Sequence, residues 1–195
     1  MDKKQKQTID EEQDLSARVK YELLSLLKSF VVCFIFVFLL TSFIAKPIRV
    51  TGESMVPSLE DGEIGFTNVF KAKTQDVKRS DIVIVHAKNI NELWVKRVVG
   101  LPGEVIEAKD DKVYINGKLL EEEYLDTEYA NNFRKYENFT RDFPPVKLSE
   151  DEYFLMGDNR VVSYDSRVVG AFHKKDIVGK DAYILFPFDE IKIVD

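Results

Sequence analysis

Hydrophobic positions are spread unevenly along the chain. Ser29–Ala45, SFVVCFIFVFLLTSFIA, carries no charge, and Leu23-Leu24-Ser25-Leu26-Leu27 extends it upstream across Lys28. At about 1.5 Å rise per residue a helix over 23–45 reaches roughly 34 Å, enough to cross a hydrocarbon core of about 30 Å. The run is rich in Phe, Val and Leu on every face, whereas a surface helix of a soluble domain shows one apolar stripe. Lys28 lies near one end, where its long side chain can snorkel to the headgroups. The pattern predicts a transmembrane helix over 23–45. The preceding segment, 1–28, is long and charged, unlike the short basic start of a cleaved leader. Phe43 would also stand at −3 of a cut after Ala45, so the helix reads as a permanent anchor. Lys3, Lys4, Lys6, Arg18, Lys20 and Lys28 precede or enter it, against Lys46 and Arg49 just after it. By the positive-inside rule the N-terminus is cytoplasmic and the rest of the chain lies on the extracytoplasmic side of the cell membrane.

From Lys46 onward the period shortens. β-Branched runs bounded by Gly, Asn, Asp and Pro occur at Ile48–Val50, Ile82–Val85, Leu93–Val99, Val113–Ile115, Tyr153–Met156 and Ala182–Phe186. Asn116-Gly117 directly follows one of them and signals a hairpin, since a type I′ turn needs two residues that tolerate positive φ. The fold class expected is therefore mainly β. It comprises a single N-terminal transmembrane helix followed by an antiparallel β domain (46–106 and 151–195) with a smaller insertion at 107–150. That insertion is charged and aromatic, ends at Pro144-Pro145, and reads as a hairpin plus loops.

Composition narrows the function classes. With 45% apolar and 32% charged residues the chain is globular rather than disordered. Lys+Arg number 28 against 34 Asp+Glu, a net charge of −6 that speaks against a nucleic-acid partner. A single cysteine, Cys33, excludes an internal disulfide, and with only His86 and His173 there is little to build a metal centre from. No metal or organic cofactor is expected.

Candidate chemistry lies in three stretches. Ser54, in Gly52-Glu53-Ser54-Met55-Val56-Pro57-Ser58-Leu59, is a candidate nucleophile, but Val56 two residues on breaks the Gly-x-Ser-x-Gly elbow. His86 and His173 read as edge or surface histidines. In a strand over 93–99, alternation puts Trp94, Lys96 and Val98 on one face and Val95, Arg97 and Val99 on the other. An ordinary lysine is neutral only about once in 2500 molecules at pH 7, and burial raises that fraction by disfavouring the ammonium. Lys96 is then either a buried base able to deprotonate a serine or a lysine snorkelling off a sheet edge, the plainer reading of these residues alone. The third stretch, Gly157 to Arg167, has turn composition. If extended, it puts Ser163, Asp165 and Arg167 on one face, with Asp165 able to pair with Arg167 and Ser163 to bond a lysine amine; the alternative is a turn held by its own Asp and Asn side chains.

Together these stretches resemble the bacterial type I signal peptidases. Ser54 to Leu59 with Gly62 is similar to that family's nucleophile box, Asp81 to Val85 to its central strand, Lys96 to Glu104 to its lysine box, and Gly157 to Arg167 to its last box. Order and spacing after an anchor also agree over most of 30–187. The resemblance implies a membrane-bound serine endopeptidase that removes signal peptides after a small residue. Ser54 would be the nucleophile and Lys96 the general base. Ser163 would orient the lysine amine, with Asp165 and Arg167 in support, and the Ser54 backbone N–H would face the oxyanion. Relatives often carry a second hydroxyl donor where this chain has Gly52. Val50, Leu59 and Val95 match positions lining shallow pockets for small residues at −1 and −3, and the partners implied are secretory preproteins and the lipid bilayer. A second reading is a non-catalytic, membrane-anchored assembly factor or chaperone for exported subunits. A self-cleaving Ser-Lys regulator with the same core fold is a third, weakened both by the anchor and by the absence of any DNA-binding segment.

Overall fold

A computed structural model describes residues 3–88, 90 and 92–195, with side chains described for 18–39, 41 and the residues from 43 on. The Lys3, Lys4 and Lys6 side chains, counted above for orientation, lie outside the described residues. The chain divides into two compact units, Met1–Ser42 and Phe43–Asp195.

The first unit is a helix, α1, Lys3–Phe43. Within it Arg18–Leu39, 22 residues of mean hydropathy 2.3, is long and apolar enough to cross a membrane, and none of that window is buried. A core helix of a soluble domain would be mostly covered. The helix stops short of the expected Ala45, because Ala45 already begins the first strand.

The second unit is antiparallel β. Its elements run β1 (Ala45–Arg49), β2 (Ile64–Asn68), α2 (Val69–Thr74), β3 (Ile82–His86), β4 (Leu93–Gly100), β5 (Val105–Lys109), β6 (Lys112–Ile115), β7 (Lys118–Leu119), α3 (Glu128–Arg134), β8 (Phe143–Lys147), β9 (Glu152–Met156), α4 (Ser166–Val169), β10 (Phe172–His173), β11 (Ile177–Phe186) and β12 (Lys192–Val194). An eight-stranded sheet is ordered β1-β2-β11-β3-β4-β9-β10, with β12 on β11; a four-stranded sheet is ordered β7-β6-β5-β8. The central strand β3 is covered on both faces, which explains its unbroken apolar run. Val83 and Val85 join Val98, Leu155 and Phe172 in one cluster, while Ile82 joins Val50, Met55, Leu59, Ala182 and Ile184 in another.

In the region 107–150 the hairpin forms at Asn116-Gly117, both at positive φ, between Ile115 and its partner Lys118. The rest is more ordered than the loops expected from its composition. α3 is N-capped by the Thr127 side chain, which accepts from the Ala130 N–H, and Leu125, Ala130 and Phe139 are buried together. Pro144-Pro145 do not end the region in a loop. They sit within β8, at the edge of the small sheet where the register shifts between Ile106 and Ala108. An edge strand tolerates proline because one row of its N–H groups has no ladder partner.

Candidate active site

Ser54 follows β1 in a tight segment. The Gly52 φ of 84° allows the turn, and the Gly52 N–H donates to Asp61 Oδ1 at 2.7 Å. Lys96 sits midway along β4, on the face alternation assigns it: Val98 is in the cluster against that face and Trp94 packs on it. Only 3% of Lys96 is exposed, and its Nζ donates to Ser54 Oγ at 2.8 Å. Nζ also lies 5.7 Å from the centre of the Trp94 ring, whose edge meets Tyr164. Burial pulls the Lys96 pKa down to about 8; Asp165 and then Asp158 oppose the shift, and Arg167 adds to it. At pH 7 about one molecule in ten then carries a neutral amine, against about one in 2500 for a free lysine.

The stretch after β9 is not extended. It turns through 158–165 and enters α4, with Asp165 as N-cap, so Ser163, Asp165 and Arg167 meet through a turn and a cap rather than on one strand face. Asp165 accepts from Arg167 Nε at 2.8 Å and Nη2 at 2.7 Å, and from the Gly157 N–H at 3.0 Å. Burial alone would push its carboxyl up; the Arg167 guanidinium holds it below the usual carboxylate range. Ser163 is buried beside Asp165, whose carboxylate it helps to stabilise, and its Oγ makes no hydrogen bond to Lys96. It sits against Gly157, where an added Cβ would lie 2.2 Å from Ser163 Oγ and 2.3 Å from the Ser54 carbonyl oxygen. Only glycine lets the Ser54 segment and this turn approach so closely.

Residues to which the sequence assigned no role complete the frame. On the opposite face of β4, Arg97 is buried and grips Asp158 with Nε to Oδ1 and Nη2 to Oδ2, both at 2.8 Å. Ser58, in the Ser54 segment, donates to Asp158 Oδ2 at 2.6 Å, and Tyr124 stacks on the Arg97 guanidinium at 4.2 Å. Alternation already put Arg97 opposite Lys96, which hinted at a buried partner. Asp158 could not be chosen from several carboxylates without the fold.

A small cavity of about 100 Å³ lies beside Ser54, lined by Arg49, Val50, Met55, Leu93 and Val95 among others. Val50 and Val95 are thus at its wall. Leu59 is fully buried in the cluster that also holds Val50 and is not among the lining residues. A wider cleft runs past Ser54 and Lys96 to Val162 and Tyr164. Neither His86 nor His173 lines either space; His86 is exposed at the end of β3, and His173 Nδ1 is 2.8 Å from Asp151. Among the described residues no group of three or more His, Cys, Asp and Glu is arranged to hold a metal.

A family model described as signal peptidase, peptidase S26, matches residues 23–186. Signal peptidase I P of Bacillus subtilis subsp. natto is 42% identical over 92% of this chain and 97% of its own. Signal peptidase IB of Staphylococcus aureus (strain Mu50 / ATCC 700699) is 37% identical over 89% of this chain and 95% of its own. The crystal structure of a signal peptidase I from Enterococcus faecalis V583 aligns with a TM-score of 0.50 at 36% identity, covering 54% of this chain and 96% of that one. With the match covering most of the α1 window and all of the Ser54 segment, the Lys96 strand and the Gly157 turn, the chain belongs to the signal peptidase family, peptidase S26.

Proposed function

We propose that this protein is a membrane-anchored signal peptidase that cuts exported preproteins after a small residue, with Ser54 as nucleophile and Lys96 as general base. The observation that carries the reading is the 2.8 Å contact between Ser54 Oγ and a buried Lys96 whose pKa is lowered to about 8. With the amine neutral, the same separation lets the Ser54 O–H donate to Nζ. Oγ attacks the scissile carbonyl carbon as its proton passes to Lys96, and the Ser54 N–H donates to the oxyanion. On collapse the Lys96 ammonium protonates the departing amine, which is the new N-terminus of the mature protein. A water then gives a proton to Lys96 and attacks the ester, and Ser54 leaves with that proton while the signal peptide is freed as an acid. Asp165 and Arg167 hold the turn around Gly157 against Ser54, and Ser163 fills the space beside it. Gly52 offers no second donor through its own N–H, which is committed to Asp61.

Substrate recognition follows from unused strand edges. Among the described residues β4 pairs with β9 only from Arg97 onward, so Leu93–Lys96 has β3 on one side alone, and β1 is an edge strand. Both segments border the cavity, so an extended peptide can add between them with its side chains alternating into the wall at Val50 and Val95. A space of about 100 Å³ suits alanine-sized side chains. α1 supplies the bilayer anchor, with the Lys/Arg-rich end cytoplasmic and the body outside. Exposed Phe188, Ile191 and Ile193 would favour contact between the body and lipid.

The test is cleavage of a preprotein bearing an Ala-x-Ala site by detergent-solubilised full-length protein. Ser54→Ala and Lys96→Ala are each expected to lower the rate by at least about 10³-fold with unchanged circular dichroism. Substantial activity in either folded variant removes the dyad. No observation favours the assembly-factor reading.

A further inference from the structure

Asn159 is 99% buried, and no step of the reaction above uses it. It nevertheless holds both peptide groups that flank the nucleophile. Its side-chain Nδ2 donates to the Glu53 carbonyl at 3.1 Å, and its backbone N–H donates to the Ser54 carbonyl at 3.1 Å. A trans peptide is planar, with its N–H opposed to its C=O. The Glu53 carbonyl belongs to the same peptide as the Ser54 N–H, so whatever fixes that carbonyl aims that donor. The Val56 N–H grips the same carbonyl at 3.2 Å. Among the described residues the Ser54 N–H has no acceptor, which leaves it available to a developing oxyanion.

The second N–H of the Asn159 amide goes to Tyr129 Oη at 3.0 Å. With both protons used the amide cannot swing, and the reversed orientation would set Oδ1 against the Glu53 carbonyl. Tyr129 lies on α3, in the inserted region, with its ring edge-on to Phe139. The same region holds the two residues after Asn159: Arg160 pairs with Glu122 and donates to Thr140 at 3.2 Å, and Val161 packs on the Leu125–Phe139 cluster.

We propose that Asn159, steadied by the Tyr129 hydroxyl, is a positioning residue that aims the Ser54 N–H at the oxyanion, and that the inserted region thereby takes part in catalysis. The proposal rests on Ser54 being the nucleophile. It also explains how a hole without a hydroxyl at position 52 can work, since a single donor held rigidly loses little to reorganisation.

The experiment measures the affinity of full-length protein for a peptide ending in Ala-x-alaninal and for the matching C-terminal amide. The aldehyde adds Ser54 Oγ to its carbonyl carbon, and the serine proton passes through Lys96 to the new hemiacetal oxygen, which occupies the oxyanion position. The amide binds only by strand pairing. An aldehyde advantage that survives Ser54→Ala would overturn the nucleophile itself. With that advantage abolished by Ser54→Ala, Asn159→Leu is expected to weaken the aldehyde about 10- to 100-fold while the amide is unchanged. Tyr129→Phe, which keeps the ring packing and decides the matter if Asn159→Leu does not fold, is expected to show an aldehyde-selective loss of about fivefold. Equal losses for both ligands, or none, in the folded variants overturn the proposal.

Discussion

Lys96 shows how one position can be chosen by pattern and made reactive by surroundings. Period-two alternation along β4 put it beside Trp94 and Val98, and the fold buries it there, so most of its altered basicity comes from lost hydration. The direction fixes a pH prediction. With Lys96 as the proposed base, the neutral amine is the active form, and the ammonium dominates below its pKa. Under non-saturating substrate, kcat/KM therefore rises about tenfold per pH unit up to about 8 and then levels. A flat profile between pH 6 and 8 would mean that another group takes the serine proton. Ser163 was less legible. Asp165 caps α4 and turns the segment, the alternative that its composition had left open, and Ser163 Oγ lies against Gly157.

At the scale of elements, strands with β-branched runs declared themselves, and those whose reasons lie in a neighbour did not. β2 reads Ile-Gly-Phe-Thr-Asn, yet Gly65 is needed because a Cβ there would lie 2.0 Å from the Tyr183 carbonyl oxygen of β11. β8 was hidden by its prolines, which only an edge position accommodates. The Arg97–Asp158–Ser58 network joins β4, the turn after β9 and the nucleophile segment, and no local pattern could connect three such distant stretches. Both members of its ion pair are almost completely buried, so removing one charge strands the other. Asp158→Asn is expected to destabilise the domain by about 3–5 kcal/mol, read as a lowered midpoint in urea. A change below about 1 kcal/mol would show that Arg97 finds another acceptor or water.

For the molecule as a whole, the division into an apolar helix and a β body was plain from hydropathy, and the structure places its boundary between Ser42 and Phe43. The inserted region was the least legible part, since its charged and aromatic residues suggest a solvated excursion. In the fold they brace the turn that carries Asn159, Ser163 and Asp165. In the proposed function, shallow pockets beside Ser54 direct this whole assembly, as an endopeptidase, to signal peptides. Mass spectrometry of the products formed from a preprotein with one Ala-x-Ala site tests it most directly. A single cut after the second alanine is expected from the wild-type protein and none from Ser54→Ala. Cuts scattered along the preprotein, or the same cut made by folded Ser54→Ala, would contradict it.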